Sequence, residues 1–292
     1  MTALSDRPAT GTSPPVKAPA IFDPRARRRS RDRSAAVFAD HSFLRDAMLD
    51  GIADRLAAVT RHFPDMLDLG CFDGGYAPPP DTRVARLDPG FRFARIAGGI
   101  QADEDRLPFA DGSFDAVVSA GVLDQVADLP GALVLARRAL RPDGLFLAAL
   151  IGAGSFPRLR AALRDAEGDR PVARLHPQID VRSAGDLLVC AGFALSVADI
   201  ETLEVGYGSF GRLLDDLRGA ALTNTLVERH ALGRGALALA ADAFAAAADP
   251  DGRTRERIEI LFLTGWAPDP SQPRPARRGS GSASLAEALK PR

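Results

Sequence analysis

Between residues 65 and 265 the chain alternates short apolar runs, each closed by Gly, Pro or Asp, with stretches whose apolar residues recur every three or four positions. Runs of about four to eight apolar residues fit buried strands, whereas the three-to-four repeat marks one face of a helix. Strands separated by helices cannot pair as hairpins. The pattern therefore demands a mostly parallel sheet with helices on both faces. We read strands at 65–69, 83–87, 115–119, 144–151, 193–199 and 258–265, with a further short strand near 99–102.

The helices follow from the same pattern. Phe43, Leu44, Ala47, Met48, Ile52, Leu56 and Val59 share a helical face behind Ser42 as N-cap, and Leu129, Leu133, Ala136 and Leu140 share another within 128–140. Further helices are expected at 155–166 and at 183–191, the latter behind Ser183 and stopped at Gly192. Residues 208–248 read as two helices inserted between the last two strands, and those strands form an antiparallel edge. With Glu201 to Val205 these helices form a lid or partner-binding subdomain, or simply cover the sheet.

The fold class is thus α/β: a Rossmann-like, doubly wound sheet whose last strand is antiparallel, with a small helical insertion. We divide the chain into a tail at 1–20, a basic segment and first helix at 21–62, the main domain at 63–267 with its insertion at 208–248, and a second tail at 268–292. Both tails are rich in Pro, Ser and Ala without hydrophobic periodicity and are expected to be flexible. A hydrophobic share of 46% and a charged share of 26% suit a folded soluble domain. The formal net charge of −1 argues against nucleic acid as a partner. No apolar run is long enough to span a bilayer, which points to the cytoplasm and leaves peripheral membrane association open. "RARRRSRDR" is followed by a segment too polar for a twin-arginine export signal.

In a sheet of this kind ligands bind beyond the carboxyl ends of the strands. Asp68, Leu69 and Gly70 close the first strand, and Asp88 closes the second, where a carboxylate can accept bonds from both hydroxyls of a ribose. Asp103 begins a loop, "DEDRLPF", that can reach an exocyclic amine. The ordered set "LDLGCFDGG", Asp88, "LPF…SFD" and "RPDG" resembles the type 11 branch of class I S-adenosylmethionine-dependent methyltransferases. Segments outside that domain, among them "IFDPRARRRSRDRSAA", "ADRLAAVTRHFP", "DLLVCAGF", "ILFLTGWAP" and "SQPRPARRGS", resemble the complex I assembly-factor methyltransferases of mitochondria and α-proteobacteria, whose mitochondrial member is an arginine hydroxylase. The resemblance implies S-adenosylmethionine held by Asp68, Gly70, Cys71, Gly74, Asp88, Asp103 and Glu104, and an iron–sulfur subunit of complex I as protein substrate or client. It leaves two alternatives: an assembly chaperone whose cofactor site has decayed, and a small-molecule O-methyltransferase of the biotin-pathway type.

Three departures bear on the cofactor. Phe72 stands where the loop's second glycine is expected, and a glycine there lets the backbone approach the ligand. Only residues 70–82 link the first two strands, and Pro78, Pro79 and Pro80 forbid most of the helix that should cross over there. Asp124 and Gln125 replace the family's usual His-Trp at the substrate mouth. Cys71, with no basic partner near it in sequence, reads chemically as a packed loop residue. His41, His62, His176 and His230 are scattered, so no catalytic base and no metal site is assigned. Tyr207 and His176 face the cleft only if the inserted helices cover it. Arg25, Arg27, Arg28, Arg29, Arg31 and Arg33 read as a solvated face, or else as a docking patch for an acidic partner.

Overall fold

The computed structural model describes residues 20–168 and 172–273. The two expected tails thus lie outside the described residues, apart from residue 20 and residues 268–273. Two helices lead the chain, α1 (Pro24–Ser34) and α2 (Phe43–Ala57), and the sheet follows with β1 (Asp65–Leu69), β2 (Arg83–Asp88), α3 (Phe91–Ile96), β3 (Ile100–Gln101) and β4 (Phe114–Ala120). Then come α4 (Leu129–Ala139), β5 (Leu140–Ile151), α5 (Pro157–Glu167), α6 (Val181–Cys190), β6 (Ala194–Tyr207), α7 (Phe210–Gly219), α8 (Arg234–Ala246) and β7 (Thr254–Trp266).

The strands form one sheet in the order β3-β2-β1-β4-β5-β7-β6. All neighbours from β3 to β5 pair in parallel, while β7 runs antiparallel to both β5 and β6. This is the doubly wound sheet with a reversed last strand that the alternation of runs predicts. The order reverses direction at β1 and β4, which places a ligand crevice beyond Leu69 and Ala120.

Each face has its own core. On one face α2, α5, α7 and α8 bury Met48, Ile52, Leu159, Phe210, Phe244 and Phe262. On the other, α4 and α6 bury Leu133, Ala136 and Leu188 against Phe146 and Phe193. Each of the Leu, Ile, Met and Phe side chains contributes about 1.5–3 kcal/mol on leaving water. Helix α2 comes closest to the sheet at Gly51, where a Cβ would lie 2.3 Å from Phe262 Cζ. This close approach fixes the register of α2, and with it the position of Arg45 on the same helix.

Several boundaries differ from those read in sequence. Helix α6 begins at Val181, because the Asp180 carboxylate accepts from the Ser183 amide at 2.9 Å; Asp180, not Ser183, is the cap. Ser42 precedes α2 as expected, but its hydroxyl donates to Asp46 at 2.6 Å instead of capping. Strand β6 continues to Tyr207, so Glu201 to Val205 belong to the sheet. Helices α7 and α8 pack on the sheet face, with the Phe210 and Phe244 rings 5.5 Å apart.

The crossover from β1 to β2 contains no helix, as the proline run requires. Tyr76 takes over part of the missing packing. Its ring is buried in the α2-side core, and its hydroxyl contacts Met66 Sδ at 3.7 Å.

Candidate functional site

At the crevice the loop after β1 is held by its backbone. Gly70 and Cys71 both donate to the Leu87 carbonyl, at 2.8 and 2.9 Å, and Gly74 donates to Cys71 at 2.9 Å. Gly70 is at φ 80°, and a Cβ there would lie 2.3 Å from Val122 Cγ1, so only glycine fits. Two residues on, Phe72 is also left-handed, at φ 50°, without being a glycine. Its amide donates to Asp88 Oδ2 at 3.0 Å, and its ring stacks on Phe38 with centroids 4.8 Å apart. Phe93 meets the same ring edge-on at 5.2 Å.

The seven residues expected to hold the cofactor do converge on this crevice, but the carboxylates of Asp88, Asp103 and Glu104 are already engaged by arginines. Asp88 is 0% exposed. Its Oδ1 accepts from Arg31 Nε at 2.8 Å and from the Gly90 amide at 2.7 Å, and its Oδ2 accepts from Arg31 Nη2 at 2.5 Å and from Phe72. A carboxylate offers about four acceptor positions, so none is left for a ribose. Glu104, also 0% exposed, receives Arg27 in the same forked manner, at 2.6 and 2.9 Å. Arg27 also donates to the Val122 carbonyl at 3.2 Å, and Arg28 binds Asp103. Burial works against the charge on Arg27, and Glu104 outweighs it, so the group is held more firmly protonated than a free arginine.

Arg45, from α2, completes the arrangement. It donates to the carbonyls of Gly70 at 2.6 Å, Ala120 at 3.2 Å and Cys71 at 3.0 Å, closing the ends of β1 and β4 together. It lies 3.5 Å from Asp68, whose two oxygens are buried without a hydrogen-bond partner among the described residues. Burial pushes the Asp68 carboxyl up, against the pull of Arg45 and Arg86. The Cys71 thiol is also pushed well up by burial and by Asp88 and Asp68, which makes it a packing group rather than a nucleophile.

Sequence reasoning singled out the carboxylates and missed what binds them. The arginines of α1 divide between two faces: Arg25, Arg29 and Arg33 are exposed as a solvated face would be, whereas Arg27 and Arg31 are 5% and 1% exposed and sit one helical turn apart beside the buried Ser30 and Ser34. The arginine–serine spacing was the available signal. Tyr207 is buried and His176 half-buried, and His176 lies against Phe22 and Arg27 rather than a cleft, with Nε2 accepting from the Thr225 amide at 2.9 Å. Asp124 keeps Oδ1 sealed from water without a partner among the described residues, and burial raises its pKa to about 6.

S-adenosylmethionine does not fit this arrangement. Asp88 has no free acceptor, the loop position where a glycine would admit a ligand carries the Phe72 ring packed on Phe38, Phe93 and Arg31, and Asp103 and Glu104 are paired. One concavity beside the loop, of about 280 Å³ including its open mouth, is lined by Phe38, Met48, Phe72 and Ile151 and by none of the four carboxylates. Among the described residues no three His, Cys, Asp or Glu side chains gather as a metal site.

Comparison with known proteins agrees with the architecture. The family described as methyltransferase domain matches residues 67–148. Arginine-hydroxylase NDUFAF5, mitochondrial, from Danio rerio is 32% identical, over 92% of this chain and 90% of its own length. The Homo sapiens protein of that name is 32% identical, over 91% and 83%. Malonyl-[acyl-carrier protein] O-methyltransferase from Laribacter hongkongensis is 32% identical, over 82% and 88%. The YcgJ protein from Bacillus subtilis shares the fold at a TM-score of 0.54 and 15% identity, covering 75% of this chain and 99% of its own.

Proposed function

The chain belongs to the class I methyltransferase-fold family, in the branch of the NDUFAF5 proteins, and from that premise we propose that it serves the assembly of respiratory complex I by binding a protein client, without methyl transfer from S-adenosylmethionine. The client is an iron–sulfur subunit of the complex, and the compartment is the cytoplasm. The observation that carries this reading is the saturation of Asp88 by Arg31, Gly90 and Phe72. A methyltransferase must align a sulfonium methyl with its acceptor, which requires the cofactor's ribose to be anchored. Here the anchor is taken.

Among the described residues no helix is long and apolar enough to cross a membrane. In this reading contact with a membrane-bound complex runs through the client. Capture of the purified iron–sulfur subunit by the full chain tests it. Equal capture with and without S-adenosylmethionine is expected; no capture, or capture that requires the cofactor, contradicts the reading.

A second reading is favoured by the length of the similarity to proteins named arginine-hydroxylase, which includes α1. In it an arginine C–H bond of the bound client becomes C–OH, one atom of dioxygen entering the bond and the other leaving as water with two electrons and two protons from an added reductant. Mass spectrometry of the client after incubation with the chain separates the two: an unmodified client supports binding alone.

A further inference from the structure

We infer that α1 is the built-in ligand of the methyltransferase-type cleft, and that Arg31 and Phe72 are a coupled replacement for the cofactor, the cleft having become a guanidinium-binding site. The inference rests on the reading that the cleft does not take S-adenosylmethionine.

The composition of the contact carries it. The buried residues of α1 are Arg27, Ser30, Arg31 and Ser34, with no apolar side chain among them. A surface helix ordinarily docks through an apolar stripe. What holds α1 must therefore be recognition of its polar groups, and that recognition is specific to a planar, forked cation. Arg31 Cζ lies 3.9 Å from the Phe72 centroid and 5.3 Å from that of Phe93, while Nε and Nη2 reach the two oxygens of Asp88. Arg27 repeats the fork on Glu104. An ammonium could supply the charge but neither the fork nor the flat face.

Phe72, packed between Phe38 and Phe93, is fitted to Arg31 through both its ring and its backbone. Its left-handed backbone is unfavourable for a residue with a Cβ. In that conformation the amide reaches Asp88 and the ring lies against the guanidinium, so one strained residue serves both halves of the site. The start and the middle of α1 are anchored to the segment between α7 and α8: the Asp23 amide donates to the Thr225 carbonyl at 2.8 Å, and the Ser30 and Thr223 hydroxyls are 2.5 Å apart. Asp88, Asp103 and Glu104 are thus explained without a cofactor, by the arginines that bind them.

Chemical rescue tests this. Thermal unfolding is followed for the full chain and for Arg31→Ala, each with millimolar methylguanidinium, and with methylammonium as the charge control. Arg31→Ala is expected to melt several degrees below the parent, and methylguanidinium to raise the midpoint of the variant but not of the parent, while methylammonium raises neither. In Arg31→Ala/Phe72→Leu the rescue is expected to weaken because the ring is gone. Equal response of parent and variant, or a variant as stable as the parent, overturns the guanidinium site; undiminished rescue in the double variant overturns the coupling. Should Arg31→Ala fail to fold alone, its soluble yield on refolding with methylguanidinium is compared with the yield without it, and no recovery overturns the inference. Binding of S-adenosylmethionine by the parent chain would instead remove the reading on which the inference rests, so the two failures are distinct.

Discussion

An aspartate at the end of the second strand of such a sheet serves a ligand only while one of its acceptor positions is free. In this chain Asp88 meets four donors, two of them from Arg31, in a site closed to water. Removing one partner of a buried pair strands the other, which costs about 3–5 kcal/mol. Arg31→Ala is therefore expected to lose about that much stability in urea unfolding at neutral pH. Arg28→Ala, whose side chain is 42% exposed, is expected to lose about 1 kcal/mol or less. Equal losses at the two positions would show that burial of the pair does not set its weight.

Two half-buried groups near Arg27 are shifted in opposite senses. The Asp124 carboxyl, raised to about 6, favours the protonated form in the fold, so its contribution is fully present below the unfolded value and is lost as pH rises through 6. Asp124→Asn is expected to be more stable than the parent above pH 6, by about 1–2 kcal/mol. His176 is lowered to about 4 by burial and by the nearby Arg27, and its Nε2 must stay unprotonated to accept from Thr225. Its contribution is present above the ordinary histidine value and is lost as pH falls through 4. His176→Gln keeps an acceptor without titrating, so its stability is expected to fall less than the parent's between about pH 6.5 and pH 4. Urea unfolding across that range reads both effects.

At the scale of elements, what the sequence disclosed depended on how local the cause is. The strands from 65 to 151 were legible because each is a run of neighbouring apolar residues ended by its own turn, and the absent crossover helix was legible because Pro78 to Pro80 act on their own backbone. The start of α6 was misplaced by two residues because both Asp180 and Ser183 suit a cap, and only geometry selects between them. Strand β6 outran its apolar run because pairing along β7 to Thr254, not burial, sustains residues 200–207. The role of α1 was hidden for a different reason: Arg31 and Asp88 are 57 positions apart, and a run of arginines has the same composition whether it faces water or a row of carboxylates. Helix α2 offers a check on the framework that positions Arg45. Gly51→Ala places a methyl against the Phe262 ring, and overpacking of this kind costs about 1–3 kcal/mol, measured as a fall in the urea midpoint without a change in slope.

For the whole molecule, the carboxyl edge of the sheet, where this fold places its ligands, is closed from three directions. Helix α1 supplies Arg27, Arg28 and Arg31, α2 supplies Arg45, and the loop after β1 supplies Phe72. The family's fold is intact around a crevice whose acidic residues survive in sequence and have changed partners in space. That combination explains why the chain reads as a methyltransferase along residues 67–148 and yet offers Asp88 to no further ligand. Calorimetric titration of the full chain with S-adenosylmethionine, repeated with S-adenosylhomocysteine, measures this most directly. The account predicts no heat of binding up to millimolar ligand, and a dissociation constant in the micromolar range would contradict it.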